Sequence, residues 1–500
     1  MPTPEVRPSV DLTNCDREPI HIPGAIQPHG ALFALSEPDL VIEEVSESTR
    51  ALFGRDHLEL LGRAVDELLT EEGTRALHAA LRAPDPRSAS PIRLETTAAF
   101  GGRRCDGIVH RSGSLAVLEL EPAVGDEVAF NDFYKRVRGA VARLQRVTGV
   151  VELCQLAADE VAALTGFDRV MAYRFDRDDH GHVIAETKRD ELESFLDLHY
   201  PASDIPVQAR RLYTINWLRL IADVGYRPAA LVSQRAGAPP LDLSFSVLRS
   251  VSPIHLEYLG NMGVRASMSI SLVVDGRLWG MLICHHYSPR FVRYDVRAAC
   301  EFFGQTLSWQ IAARERTEHA HARADTQRIV SSLVHQLASE PHVGRALRAD
   351  ASPALTMAAA DGVAVWNDRE WTLIGVTPPE AAMREMCDRI VPRLSDGLFV
   401  TDRLRNIWPD GSWSDAQASG ALAVSLSPSH DPLVIFLRRE VVQTVNWAGD
   451  PNKLVSLSDG DARLSPRGSF ALWRETVRGR SLPWQTWQAE AATDLRRAVV

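Results

Sequence analysis

Apolar positions alternate with polar ones along some stretches of the chain and recur every three to four residues along others, which separates candidate strands from candidate helices. ALFALS (31–36) and VIEEV (41–45) predict short strands, and SLAVLEL (114–120) alternates as a half-buried strand should. Between them GTRALHAALRA (73–83) predicts a helix, with Leu77 and Leu81 four residues apart. Val141, Leu144, Val147, Val151, Leu153, Leu156, Val161 and Leu164 fit two successive amphipathic helices, and RVMAYRF (169–175) then reads as a strand. SMSISLVV (267–274) and RLWGMLIC (277–284) flank Asp275-Gly276, the pair preferred in a type I′ hairpin turn. Residues 226–253 carry prolines at 228, 239, 240 and 253 and predict a long loop, which inside a compact domain is usually functional.

No proline interrupts the interval from Pro289 to Pro341, where Phe303, Leu307 and Ile311 precede Ile329, Leu333 and Leu337. That interval predicts one long helix or two nearly continuous ones, on the order of 70 Å in length. Further on, LVIFLRREVV (433–442) predicts a strand. Residues 446–484 are turn-rich, aromatic and arginine-rich, and predict an excursion from the core. Trp487, Ala491, Leu495 and Val499 recur at four-residue spacing, so a C-terminal amphipathic helix is expected. The pattern as a whole predicts an α+β multidomain protein. After an N-terminal arm come three mixed α/β domains, the first from about Ile26 to Ala123, the second from near Asn131 and the third from about 325 to 500, joined by long helices.

Composition narrows the function. A chain of 500 residues exceeds one ordinary core, and 45% hydrophobic with 24% charged residues is a globular balance. Acidic residues outnumber basic ones, 65 to 55, which opposes broad binding to nucleic acid or anionic membrane. No apolar run approaches the roughly 20 residues of a membrane span, and the polar N-terminus has no signal-peptide core. Six cysteines are scattered without a C-x-x-C pair, against a zinc site or disulfide framework and in keeping with a reducing compartment. The expectation is a cytoplasmic protein without a nucleic-acid or membrane partner.

Candidate chemistry gathers in a few segments. In HYPASDIPVQARRLY (199–213) two prolines stiffen the backbone around Asp204 at the mouth of a helix; alone, this reads first as a helix cap. SPIHLEYLGNMGVRASMSISL (252–272) places His255 near Tyr258 and Asn261. In CHHYSPR (284–290), His285 and His286 are strand neighbours that face opposite sides, so they do not readily share one ion and no metal is expected. Cys15, in a polar arm, reads by itself as an unremarkable free thiol.

Read in order, NCDREPIHIPGAIQPHG, FDRVMAYRF, YPASDIP, SPIHLEYLGNMGVRASMSISL, LWGMLICHH and PRGSF resemble the bacteriophytochromes along essentially the whole chain. The resemblance implies a photosensory core of PAS (16–125), GAF (126–320) and PHY (321–500) domains, with a tongue at 446–484. It implies a red/far-red photoreceptor that holds biliverdin IXα in the GAF pocket and photoconverts by isomerisation at the D ring. A thioether to Cys15 is implied, because Ile254 stands where plant-type phytochromes attach their bilin. Arg219, from the helix after the aspartate motif, and Arg249, from the long loop, are the implied partners of the propionates, with Ser252, Ser267 and Ser269 as hydroxyl donors. Asp204 and His255 would meet the pyrrole nitrogens. Tyr173, Tyr200 and Tyr258 would surround the D ring, and His285 would bond its carbonyl. The N-terminal segment would thread the long GAF loop. Arg467 of the PRGSF motif would reach Asp204 with Ser469 beside it.

The same resemblance implies a homodimer through long helices and signalling to a C-terminal output module or a response-regulator pathway. The chain itself is expected to be no enzyme. SSLVHQLAS (331–339), with His335, is the only phosphoacceptor-like string, and no glycine-rich ATP-binding segment follows it. Two alternatives stay open: a sensor histidine kinase whose catalytic part lies beyond residue 500, and a non-photoactive GAF sensor of haem or a cyclic nucleotide.

Overall fold

The structure, a computed structural model, describes residues 18–123, 138–234, 237, 239–449, 456–457, 464–465, 470 and 472–499. Cys15, Arg467 and Ser469 lie outside the described residues. The chain divides into two compact units, Met1–Ala312 with Asn446–Trp473 and Ala313–Val445 with Arg474–Val500.

In the first unit the strands are β1 (Ala25–Ile26), β2 (Ala31–Ser36), β3 (Val41–Ser46), β4 (Ile92–Glu95), β5 (Arg104–Ser112) and β6 (Leu115–Pro122). They are followed by β7 (Arg169–Phe175), β8 (Gly181–Lys188), β9 (His199–Tyr200), β10 (Leu218–Ile221), β11 (Ala229–Ser233), β12 (Ala266–Val274) and β13 (Arg277–His286). One sheet has the order β1-β11-β3-β2-β6-β5-β4. The other runs β10-β12-β13-β7-β8-β9 and continues with Trp447, which pairs in parallel with His199.

Local chemistry explains the main elements. Helix α1 (Glu71–Leu81) starts where the Thr70 hydroxyl accepts from the Gly73 N–H, and two glutamates occupy its first turn, which suits the helix dipole. Its Leu77 and Leu81 pack with Phe33, Val109 and Leu118 over the first sheet. Residues 138–144 are helical and break before α2 (Val150–Thr165), so the apolar pattern there does divide into two helices. Asp275 and Gly276 both take positive φ, 50° and 76°, as a type I′ turn between β12 and β13 requires.

Helices α3 (Val207–Ile215) and α4 (Pro253–Asn261) complete this unit, together with the start of α5 (Tyr294–Ser339). Helix α5 is unbroken over 46 residues, which decides between the two sequence alternatives. Its Phe303, Leu307 and Ile311 pack against Met268, Ile270 and Leu272 of β12.

The segment expected as a plain long loop, 226–253, contains β11, which lies between β1 and β3 in the first sheet. Pairing with strands almost two hundred residues earlier leaves no local periodicity, so the sequence reading missed it. Residues 21–27 run between the two limbs of this segment. On one side Ala25 and Ile26 pair with Ala230 and Ala229. On the other, Leu243 N–H donates to His21, Gln27 N–H to Leu248 and Ser250 N–H to Ala25.

The second unit is built on a five-stranded sheet, β15-β14-β18-β17-β16, of β14 (Gly362–Asn367), β15 (Glu370–Gly375), β16 (Leu398–Thr401), β17 (Gly420–Ser425) and β18 (Leu433–Arg438). The last strand is shorter than the stretch 433–442 that the sequence predicts. Alternation on β17 serves two cores. Leu422 and Val424 meet Leu333 of α5 and Leu495 of the C-terminal helix, while Ala421 and Ala423 meet Met383 and Met386 of α6 (Glu380–Ile390). The C-terminal helix, α7, spans Thr486–Val499. No helix among the described residues is long and apolar enough to cross a membrane.

Candidate functional site

A cavity of about 400 Å³ lies in the first unit, between the second sheet, helices α3 and α4 and the loop before α4. Every sequence-predicted chromophore residue that falls within the described residues lines it: Tyr173, Tyr200, Asp204, Arg219, Arg249, Ser252, His255, Tyr258, Ser267, Ser269 and His285. Strand geometry does much of this. Ser267 and Ser269 on β12, and Met281, Ile283 and His285 on β13, are two residues apart and so face the same side. Met171 on β7 stands in the same relation to Tyr173. The sequence reading missed Met171, Met281 and Ile283, although this alternation could have found them.

Arg219 sits on β10, opposite Ser269, and not on the helix after the aspartate motif, because α3 ends at Ile215. A strand position suits it, since β10 is the edge of the sheet and aims Arg219 at the loop. Its guanidinium donates to the carbonyls of Ser246 (3.3 Å), Val247 (3.1 Å) and Arg249. Arg249 donates to the carbonyls of Leu243 (3.3 Å) and Ser244 (3.0 Å). Both arginines are buried, and neither has a carboxylate within ion-pair distance among the described residues. Burial lowers the pKa of both, and the mutual repulsion of the two cations adds to it for Arg249, which falls to about 9. Two cations buried side by side on neutral carbonyls are costly, on the order of several kcal/mol each, until anions reach them.

Asp204 ends a short 3-10 turn, Ala202–Asp204, and Pro206 caps α3, so the helix-cap reading of Asp204 does not hold. Its carboxylate accepts from the Tyr258 hydroxyl at 2.9 Å. Tyr258 stacks near the His255 ring (centroids 6.1 Å, 10° between planes) and meets Phe470 edge-on at 5.1 Å. Tyr173 and Tyr200 form a separate pair with centroids 5.7 Å apart. A β-carbon at Gly181 would fall inside the Tyr173 ring, so glycine there is what gives that ring its place. Ser252 donates to Glu18 at 3.0 Å, and both line the cavity.

His285 and His286 do face opposite sides. His286 approaches Asp168 (Nδ1–Oδ2 2.7 Å), while His285 is buried against the cavity with no hydrogen-bond partner for its Nδ1 among the described residues. Burial, with Arg169 and His255 nearby, pushes His285 down to about 3. Burial and the Arg219 charge push His255 down to about 4. Both rings are therefore neutral at pH 7. The residues present fit a linear tetrapyrrole with two carboxylates: two unpaired guanidiniums, two neutral imidazoles, serine hydroxyls on one wall and aromatic rings around the remainder.

Three family models match consecutive stretches of the chain: PAS fold at residues 15–123, GAF domain at 150–314 and Phytochrome region at 326–500. The architecture is thus that of a PAS–GAF–PHY sensor core. The photosensory core module of a Stigmatella aurantiaca phytochrome is 44% identical, with a TM-score of 0.89 and 98% of each chain covered. A bacteriophytochrome from R. palustris is 43% identical, with the same TM-score and coverage. Among curated relatives, cyanobacterial phytochrome B of Nostoc sp. is 42% identical over 98% of this chain and 66% of its own length. A bacteriophytochrome of Xanthomonas campestris pv. campestris is 36% identical over 97% of this chain and 78% of its own length. The chain belongs to the phytochrome family, with the three-domain core found in bacteriophytochromes. It spans about two thirds of the length of the first curated relatives it matches.

The buried histidines make acid stability a test of the site. Their folded pKa values lie below the ordinary ~6.5, so between that value and about 4 the unfolded chain holds protons the folded one refuses. Stability is complete above pH 6.5 and is lost as pH falls through this window, by up to ~1.4 kcal/mol per pH unit for each such histidine. Urea unfolding of the ligand-free protein between pH 6.5 and 5 should show a slope smaller by about one proton in His255→Asn than in wild type. An equal slope would mean that His255 is charged in the folded state.

Proposed function

We propose that this chain is a red/far-red photoreceptor core that binds biliverdin IXα. The observation that carries the reading is the pair of buried guanidiniums, Arg219 and Arg249, with no carboxylate partner in the described protein. Two propionates on one ligand would complete both, through charge-assisted hydrogen bonds to which Ser267 and Ser269 can add. When bound, biliverdin supplies red-light absorption and an isomerisable methine bridge beside its D ring.

The protein's own groups do the rest. Asp204 and His255 hold protons at the pyrrole nitrogens. The neutral His285 ring offers an N–H to the D-ring carbonyl, and Tyr173, Tyr200 and Tyr258 enclose that ring. Cys15 supplies the thioether, and Ile254, which also lines the cavity, cannot. Arg467 and Ser469 carry the pocket's state to the tongue by pairing with Asp204. The contacts of Phe470 with Tyr258 and of Tyr258 with Asp204 support such a route. The signal passes to an output module beyond residue 500 or to a response-regulator partner, and any kinase or cyclase activity belongs there, outside this chain. A second copy is the other partner we assign. Phe302 and Trp309, seven residues apart on α5, are 51% and 71% exposed, the spacing of a helix–helix seam.

Mixing with biliverdin should produce a band near ~700 nm that changes on red illumination, as expected for charge-assisted binding of an extended, protonated bilin. A spectrum dominated by a Soret band after addition of haem, with none from biliverdin, would favour the haem-sensor alternative. Cys15→Ser should keep the red band yet lose bilin that survives denaturing electrophoresis; full retention would move the attachment elsewhere. Asp204→Asn should assemble normally but stall late, proton-coupled photoconversion, and Arg467→Ala should alter dark reversion. Wild-type photocycling in both would remove Asp204 and Arg467 from signalling. Trp309→Glu should shift the protein from dimer to monomer in analytical ultracentrifugation, and an unchanged sedimentation coefficient would place the seam elsewhere.

A further inference from the structure

Glu119 lies on β6 of the first sheet with no solvent exposure, and nothing in the function described so far uses it. Its two oxygens accept from consecutive backbone N–H groups of the pocket loop, Val247 (3.1 Å) and Leu248 (2.7 Å). The carbonyl side of that same loop holds the two arginines: Arg219 is bonded to Ser246, Val247 and Arg249, and Arg249 to Leu243 and Ser244. The Val247 residue therefore bridges directly, its N–H on Glu119 and its carbonyl on Arg219. His110 stands on the other side of the carboxylate, its Nδ1 3.8 Å from Oε1, and its Nε2 is 3.4 Å from the Ser246 hydroxyl.

We propose that Glu119 is a positioning residue for the anion site: through the loop backbone it sets where the Arg219 and Arg249 guanidiniums meet the ligand's carboxylates. The inference rests on the bilin reading given above. A carboxylate is the side chain this place requires. It alone presents two acceptors to two adjacent N–H groups in a fully buried setting, where an unmatched N–H is costly. Burial raises the carboxyl itself to about 8, against the opposing effect of the two backbone donors. Glutamine keeps the shape but turns an NH2 group toward one of those donors, and aspartate keeps the carboxyl group but is one carbon too short to reach both.

The test compares how fast the red band appears with biliverdin and with its dimethyl ester, which lacks the two anions. In wild type the diacid should assemble faster. In Glu119→Gln and Glu119→Asp the diacid-to-ester rate ratio should fall about tenfold, while the ester rate and the far-ultraviolet circular dichroism stay at wild-type values. A variant that merely loosens the fold lowers both rates together, and that outcome would overturn the proposal, as would a wild-type ratio in either folded variant. Failure of the underlying reading looks different. No red band from wild type with biliverdin would sink the bilin assignment, and equal diacid and ester rates in wild type would sink the propionate role of the arginines.

Discussion

Two guanidiniums held out of water by the carbonyls of one loop are the constraint around which the first unit is organised. Arg219 comes from an edge strand and Arg249 from the loop itself, yet both spend their donors on the same seven-residue stretch, 243–249. Neutral carbonyls satisfy hydrogen-bond geometry but not charge, so the arrangement stores an affinity for anions within the folded protein. The cost of that storage has to be met by contacts elsewhere. Those contacts are found in the first sheet.

The loop is bound to that sheet at several points and in two ways. Its earlier limb supplies β11, which joins β1 and β3 through ladder bonds. Its later limb is fixed by side chains and by the segment 21–27, with Ile26 bridged to Arg249 itself. Leu241, Leu243 and Leu248 bury against Ile26, Leu32 and Val117. The pocket of one domain thus takes its shape from the sheet of another. A substitution in β6 or β1 can alter ligand binding without touching ligand.

This arrangement also explains what could be read in advance. The Asp275-Gly276 hairpin was legible because two positive φ angles in succession demand those residue types, and α5 was legible because nothing breaks its pattern. The lining residues were legible from their motifs, and the structure brings them to one cavity. Long-range pairing was not legible. β11 owes its existence to partners far away in sequence, and Arg219 moved from a predicted helix to a strand because α3 stops four residues short of it. Most instructive is SLAVLEL, whose alternation reads as one buried and one solvated face. Glu119 in that stretch and Glu121 just beyond it are both buried, because the loop covers the first and α5 the second. Cys15, Arg467 and Ser469 fall outside the described residues, so their roles rest on motif order.

The two glutamates, one alternation apart on β6, answer two different neighbours. Glu119 faces the loop that carries the pocket arginines. Glu121 pairs with Arg297 of α5 and lies 3.4 Å from His29. Burial alone would raise the Glu121 carboxyl, but Arg297 and His29 together bring it below the usual range. A buried pair of this kind contributes little net stability when intact, yet losing one partner costs about 3–5 kcal/mol. It acts as a latch more than as a brace. One short strand therefore ties the pocket loop and the start of the long helix to a common support. A second link runs from Asp204 in the cavity through Tyr258 to Phe470. The first is fixed by charges shut away from water; the second consists of a hydroxyl bond and an edge-on ring contact, both easily remade. Of the two mounts, the weaker is therefore the one between Tyr258 and Phe470.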